Sequence, residues 1–157
     1  MEDAHPAAAS GRREIARQRY ESALYLLGEH SVASAASTIL RRIGRTHLDD
    51  GDVGAGLDCL EAALAIAEAN GDAGEIAHTI NVKAISFWQR GFLEEGEALY
   101  HEAARMARVA GDEKLLAMIG QNLGVIASMR GDVPAALEHH AESLDRYRKL
   151  GLQEDLG

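Results

Sequence analysis

Glycine recurs along this chain at a fixed interval, and that interval constrains the fold more than any other feature. Two series each repeat every 40 residues, the second offset from the first by 20: Gly11, Gly51, Gly91 and Gly131, and then Gly71, Gly111 and Gly151. Glycine readily adopts the left-handed backbone conformation just after a helix, where a side chain would clash. The interval therefore predicts a unit of two helices that is repeated along the chain.

Aspartate follows most of these glycines, and its carboxylate suits the start of the next helix. Asp52, Asp72, Asp112 and Asp132 each stand directly after a glycine. A carboxylate in that position can accept a hydrogen bond from a free backbone N–H in the first helical turn. The turns are therefore very short, and we expect neighbouring helices to run antiparallel.

Between the glycines, apolar residues recur at the spacing of an amphipathic helix. Leu57, Leu60 and Leu64 follow three- and four-residue steps, which places them on one helix face. No segment alternates between apolar and polar residues. The pattern predicts an all-α protein of about seven helices, at residues 12–29, 33–50, 53–70, 73–90, 93–110, 113–130 and 133–150.

Composition and charge argue against several functional classes. The net charge is −9, whereas a protein that reads a phosphate backbone needs a concentrated basic face. The single cysteine, Cys59, cannot form the internal disulfides of small secreted domains. The first residues lack a signal-peptide pattern, and no window approaches the ~18 apolar residues of a membrane span. We expect a cytoplasmic protein that binds neither nucleic acid nor membrane.

Within each period, the residues resemble the tetratricopeptide repeat. That family carries a Leu-Gly pair in the first helix of its unit and Ala-x3-aromatic-x2-Ala in the second. Leu123 and Gly124 form the pair in one copy, and Gly96-x3-Tyr100-x2-Ala103 is similar to the second motif in another. The period of 40 exceeds the usual ~34, and such longer units resemble those of kinesin light chains and of bacterial regulatory and signalling proteins. Another α-solenoid, such as a HEAT repeat, is the alternative.

The resemblance implies a right-handed α-solenoid of antiparallel helix pairs and a division of the chain. Small residues at Gly44, Ala84 and Gly124 would let the two helices of a unit cross closely. We expect a disordered tail and then a repeat array over residues 11–157. The divisions are a tail 1–10, a half-repeat 11–30, repeats 31–70, 71–110 and 111–150, and the start of a further repeat at 151–157.

The resemblance also implies where a partner would bind. In this family the first helix of each unit lines a concave groove that holds a protein or peptide segment. At the matching positions we single out the following side chains: Arg41, Arg45, His78, Asn81, Trp88, Gln89, Gln121 and Asn122. The remaining groove positions include apolar residues: Ile85, Met118, Val125 and Met129.

The candidate groove residues each have a second interpretation. Arg41, Arg42 and Arg45 form the densest basic cluster of an acidic chain. They are either an anchor for an acidic segment, because guanidinium grips carboxylate in a fork, or a solvated face paired with Asp or Glu of a neighbouring helix. Asn81 would hold a peptide backbone or be plain polar surface. Trp88 would be a binding hot spot or a core residue between units.

We expect no catalytic site, metal site or cofactor. The segment from His101 to Arg105 resembles the HExxH metal motif, but arginine occupies the second ligand position. His139 and His140 are adjacent on a helix, so they point about 100° apart around its axis. Cys59 lies on an apolar helix face, where an inert core thiol is expected.

The repeat pattern is open at its ends, and this has consequences for assembly. A terminal unit exposes an apolar face unless it is capped, so we expect Leu137, Leu144 and Tyr147 to be partly bare. Either the chain is a fragment of a longer protein, or this edge pairs with a partner such as another copy.

The sequence therefore predicts a non-enzymatic interaction module that uses the concave groove of a repeat array. We expect it to be the recognition part of a larger bacterial signalling or regulatory protein. The alternative is a structural module that forms homo-oligomers through its open helical ends.

Overall fold

The computed structural model describes residues 12, 15, 18, 19 and 30–151. Residues 30–151 form six α-helices, joined by short turns and packed one after another, and no strand occurs among the described residues. The helices are α1 (His30–Asp49), α2 (Val53–Ala69), α3 (Ala73–Gln89), α4 (Leu93–Ala110), α5 (Glu113–Met129) and α6 (Val133–Lys149). The protein is an all-α helical-repeat solenoid, as predicted.

The helices begin and end close to their predicted positions. The largest difference is at α1, which begins at His30 rather than at residue 33. Residues 12, 15, 18 and 19 are helical, in agreement with the predicted helix 12–29 at those four positions. The rest of that helix, the predicted tail 1–10 and residues 152–157 lie outside the described residues. The division into numbered repeats remains a prediction.

Each turn between helices contains a glycine with a left-handed backbone. Gly51 has φ of 86°, and its N–H donates to the carbonyl of Leu48 at 3.0 Å. The N–H of Asp52 donates to the carbonyl of His47 at 2.8 Å, so the end of α1 is closed by two bonds. Positive φ recurs at the glycines that end the other helices: Gly71, Gly91, Gly111, Gly131 and Gly151.

Four helices begin with the aspartate cap that the sequence predicts. In each, the aspartate Oδ1 accepts a hydrogen bond from the backbone N–H three residues later, at 3.0 to 3.3 Å. The capping residues are Asp52, Asp72, Asp112 and Asp132. Such a cap stabilises a helix by about 1 kcal/mol.

The start of α4 departs from this pattern. Phe92 stands where the other turns have aspartate, and it makes no side-chain cap. Its ring is 48% exposed and lies 6.1 Å from the ring of Phe87. The guanidinium of Arg90 stacks over both rings, 4.8 Å from the Phe87 centroid and 5.2 Å from that of Phe92. Aromatic and cation–π contacts thus replace the cap at this turn.

Glycine allows the two helices of a pair to approach closely. A Cβ added at Gly56 of α2 would lie 2.6 Å from Leu48 Cγ and 3.0 Å from the carbonyl oxygen of Gly44 on α1. Real Cβ atoms do not come so close to another carbon, so a side chain at Gly56 would push α1 and α2 apart. The predicted close crossing at Gly44 is therefore present.

A hydrophobic core cluster joins α3, α4 and α5. Tyr100 of α4 is 1% exposed, and Ile80 of α3 and Ile119 of α5 are 3% and 1% exposed. Alanines of α4, such as Ala103, fill much of the remaining space and keep the helices close. Burial raises the pKa of Tyr100 from 10.0 to about 12, although Arg45 opposes this shift. The core therefore ties two adjacent helix pairs together.

Candidate functional site

The six helices form three pairs, α1–α2, α3–α4 and α5–α6. The first helix of one pair contacts the first helix of the next pair through polar side chains. Between α1 and α3, Thr38 Oγ1 donates to Glu75 at 2.7 Å. Arg41 donates to the same carboxylate from Nε at 3.1 Å and from Nη2 at 3.3 Å. The side chains of Arg41 and Glu75 are only 17% and 14% exposed. Both prongs of the Arg41 fork are therefore engaged within the chain.

Two of the capping aspartates extend this connection. His78 Nε2 of α3 lies 3.0 Å from Asp112 Oδ2, while Asp112 Oδ1 caps α5. Ser34 of α1 donates to Asp72 Oδ2 at 2.9 Å, while Asp72 Oδ1 caps α3. One oxygen of each carboxylate thus closes its own helix, and the other bonds the preceding first helix.

A stripe of exposed side chains runs along the first helices. Met118, Val125 and Met129 of α5 are 39%, 40% and 59% exposed, and with Asn122 they follow the spacing of one helix stripe. The residues at matching positions of α3 and α1 are also at least partly exposed, except Val82, which is 5% exposed. We call this surface the first-helix face: Arg42 and Arg45 of α1, His78, Ile85 and Gln89 of α3, and Met118, Asn122, Val125 and Met129 of α5.

The first-helix face changes character along the array. At α1 it presents two exposed arginines, of which Arg45 has an i,i+4 contact with Asp49 at 3.8 Å. The Arg42 side chain makes no ion pair with any described residue. At α5 the same stripe carries apolar side chains and the amide of Asn122, with no charge. The face therefore offers cations at one end and apolar surface at the other.

Three residues predicted to line the groove are turned into the packing instead. Arg41 is held by Glu75, so its pairing with a neighbouring helix is the correct interpretation. Asn81 is 4% exposed, which corrects its placement on an open surface. Trp88 is partly buried against the core cluster, with its Cβ 3.3 Å from the position of a Cβ added at Gly96. Core packing therefore describes Trp88 better than an open hot spot.

Helix geometry explains why Asn81 and Trp88 point inward. Both lie three or four residues from Ala84, which is fully buried, so the three side chains share one stripe of α3. That stripe faces α4, where Gly96 packs against the backbone of residues 84 and 88. The Oδ1 of Asn81 and the Nε1 of Trp88 have no hydrogen-bond partner among the described residues.

The other predicted groove residues keep accessible polar groups. His78, Gln89 and Arg45 lie on the first-helix face, with Asn122 beside them. Gln121 is partly engaged, because its Oε1 accepts a hydrogen bond from the Tyr147 hydroxyl at 3.2 Å. That contact orients the Gln121 amide within the α5–α6 pair.

The edge predicted from the open repeat has two exposed members and one buried one. Leu137 and Leu144 of α6 are 65% and 37% exposed. Tyr147 is 7% exposed, and burial raises its pKa. The expectation that Tyr147 is partly bare is wrong, because its ring packs inward and its hydroxyl reaches Gln121.

Other candidate chemistry falls into ordinary packing. No group of three or more His, Cys, Asp or Glu side chains within the described residues is arranged to hold a metal ion. The ring of His140 occupies the space above Gly124, where an added Cβ would lie 2.6 Å from its Cε1. Cys59 is 5% exposed. None of the helices in the described ranges is long and apolar enough to cross a bilayer.

Comparison with known families agrees with the packing. Residues 75–149, which span α3 to α6, match the family model of the tetratricopeptide repeat. These residues belong to the tetratricopeptide repeat family. Repeats of this family generally mediate protein–protein interaction and are typically non-catalytic scaffolds. No curated protein matches the chain.

The apolar half of the first-helix face was underestimated from the sequence. Met118, Val125 and Met129 occupy groove positions, although the sequence favours polar residues as candidates there. Their spacing of seven and four residues was visible in the sequence, yet the same spacing also describes a buried stripe. Their exposures of 39%, 40% and 59% place them on the surface.

Proposed function

We propose that the protein is a recognition module that binds a protein segment along the first-helix face, as part of a larger bacterial signalling or regulatory protein. The observation that carries the proposal is the stripe of Met118, Val125 and Met129, which are 39% to 59% exposed. Contiguous exposed apolar side chains bordered by polar groups are typical of interaction surfaces. Methionine is well suited to such a surface because its flexible thioether adapts to irregular partners.

The charge on the same face favours a partner segment that binds in one orientation. Arg42 and Arg45 are exposed at the α1 end, in a chain of net charge −9. A partner segment with carboxylates toward α1 and apolar side chains toward α5 would match both parts of the face. Arg41 is not available to it, because Glu75 already holds its guanidinium.

Capture from a cytosolic lysate with charge-matched variants tests the proposal. Immobilised wild type is compared with Arg42→Glu/Arg45→Glu. The control is Arg105→Glu/Arg108→Glu, an identical charge change on exposed positions of α4 with the same spacing. We expect a partner retained by wild type and by the control, and reduced about tenfold or more by the first-helix variant. Equal retention by both variants would contradict binding at this face.

A second candidate function is self-assembly through the open end of the array. The exposure of Leu137, 65%, favours it because exposed apolar side chains on a repeat unit are typical of interaction surfaces. Sedimentation velocity over a range of protein concentrations decides the question. Concentration-dependent association that Leu137→Glu abolishes would support it, whereas a monomer at every concentration would eliminate it.

A further inference from the structure

We propose that the outer surface of the α5–α6 pair binds an amphipathic helix from a partner protein, one with an acidic first turn and an apolar stripe. This surface shares Met118 and Val125 with the first-helix face, but it extends from them onto α6. We call it the end face: Lys114, Met118, Gln121 and Val125 of α5, and Leu137, Ala141, Leu144 and Arg148 of α6.

Two junctions inside the chain show what this surface receives. At positions 40 residues before Met118, Leu137 and Leu144, side chains of the preceding pair contact the capping residues of α5, the next first helix, or lie with α5 in the core cluster. His78 contacts Asp112, Glu97 contacts Arg130, and Ala104 is 6% exposed in the cluster that includes Leu115. One pair earlier, Glu61 at the position matching Ala141 contacts Lys83 of α3 at 2.7 Å. In both junctions the occupant is a single helix.

The end face differs in chemistry from those two junctions. Compared with the α3–α4 pair, Met118 replaces His78, Leu137 replaces Glu97 and Ala141 replaces His101. Compared with the α1–α2 pair, Ala141 replaces the acidic Glu61, while Leu57 stands at the position of Leu137. Met118, Leu137 and Leu144 are 39%, 65% and 37% exposed. In the internal junctions, Lys83 of α3 and Arg130 at the end of α5 pair with carboxylates at these positions. The end face has no carboxylate that could pair with such a cation. A partner helix that fits the end face is therefore apolar at the positions that Lys83 and Arg130 occupy in the internal junctions.

The only charges on the end face are two cations at one end. Lys114 lies in the first turn of α5, and Arg148 lies in the last turn of α6. Neither side chain has an ion pair among the described residues. On the neighbouring stripe of α6, Asp145 lies 3.0 Å from Lys149 and Glu142 lies 3.9 Å from Arg146, whereas Glu138 makes no ion pair among the described residues.

The position of these cations defines the first turn of the partner helix. In the junction between α1 and α3, Ser34, which lies 80 residues before Lys114, donates to Asp72 at the start of the following helix. The helices α3 and α5 each have one acid in the first turn, Glu75 and Glu113. A carboxylate in that turn is favoured by its own helix dipole and by Lys114 and Arg148. The partner helix therefore begins with Asp or Glu.

Charge also favours a partner over a second copy on this face. A two-fold pairing would bring the end face against itself, so that each residue meets the same set of residues. Because the set contains Lys114 and Arg148 but no carboxylate, both cations would be left unpaired in the interface. Burying unpaired charge is costly, whereas an acidic first turn neutralises both.

The test uses a fluorescein-labelled synthetic peptide with the sequence of α5, Glu113–Met129. This probe has Glu113 and Lys114 in its first turn, an apolar stripe and no other charged side chain. Fluorescence anisotropy measures its binding to the full chain. We expect saturable binding that Leu137→Glu and Leu144→Glu each weaken about tenfold or more. The control Val109→Glu, at a site on α4 that is 71% exposed, should leave binding unchanged.

A charge exchange distinguishes docking of the peptide on the end face from docking elsewhere on the chain. Lys114→Glu/Arg148→Glu should weaken binding of the probe, and a probe with Glu113→Lys should restore it. Absence of binding, or equal binding to wild type and Leu137→Glu, overturns the proposal, the latter because the peptide would then dock elsewhere. A homodimer in sedimentation velocity that Leu137→Glu dissociates also overturns it, because the occupant would be a second copy. Since these residues are exposed, circular dichroism should show unchanged folding of each variant.

Discussion

Asp112 provides the sharpest test of how adjacent helix pairs are joined. Its Oδ1 caps α5 by accepting from the Leu115 N–H at 3.0 Å, and its Oδ2 lies 3.0 Å from His78 Nε2 of α3. Asp112→Ala removes both contacts. Asp132→Ala is the matched control, because Asp132 caps α6 through the Ala135 N–H at 3.1 Å and its side chain makes no other hydrogen bond or ion pair among the described residues.

The losses of unfolding free energy in the two variants should differ by the contribution of the His78–Asp112 contact. Loss of a cap costs about 1 kcal/mol, which is the whole expected effect of Asp132→Ala. The His78–Asp112 contact adds about 0.5 kcal/mol, since side-chain exposures of 37% and 28% leave it screened by solvent. Asp112→Ala should therefore cost about 1.5 kcal/mol. The melting temperature should fall by about 2–4 °C for each kcal/mol in a chain of this size.

Urea denaturation of a double-mutant cycle measures the junction term directly. The cycle combines Asp112→Ala with His78→Ala, and a coupling energy of about 0.5 kcal/mol is expected. Asp112→Asn keeps a cap acceptor and should recover most of the cap contribution. A coupling energy near zero, or equal losses for Asp112→Ala and Asp132→Ala, would refute the idea that this cap also joins α3 to α5.

Three further predictions concern the core. Because burial raises the pKa of Tyr100 from 10.0 to about 12, the fold favours neutral tyrosine. Its contribution to stability is intact below pH 10 and should be lost at up to about 1.4 kcal/mol per pH unit as pH rises from 10 to 12; chemical denaturation of Tyr100→Phe over that range should lack this loss. Gly56→Ala should cost about 1–3 kcal/mol by overpacking, whereas Gly74→Ala, whose Cβ would meet nothing closer than 3.5 Å, should be neutral or stabilise by up to about 1 kcal/mol, as thermal melts can show. Cys59, 5% exposed, should react with a thiol reagent only after denaturant is added; rapid reaction in the native state would contradict its burial.

The periodic features of the fold were predictable because each has a local cause. The glycine at Gly51 and the cap at Asp52 depend only on the backbone of one turn. The helix bounds follow from these turns, so errors were confined to helix ends such as that of α1. Phe92 shows the limit of this reasoning, since a residue that breaks the local rule is held by ring contacts with Phe87 and Arg90, and these depend on the folded turn.

The candidate interaction surface was less predictable because it depends on which stripe of each first helix faces solvent. A rotation of one residue around a helix is 100°, enough to move a side chain from the surface into the packing. Arg42 and Arg41 illustrate this, because the first is exposed and the second is held by Glu75. Contacts between residues more than 30 positions apart, such as His78 with Asp112, decide the orientation.

Site-specific photocrosslinking in a cell lysate tests most directly whether the first-helix face binds a partner. A photoreactive amino acid replaces Gln89, which is exposed on α3 within the face, or His101, which is exposed on α4 outside it. Illumination should give a discrete crosslinked product from position 89 and none from position 101. Crosslinks from position 101 alone, or the same products from both positions, would contradict binding at the first-helix face.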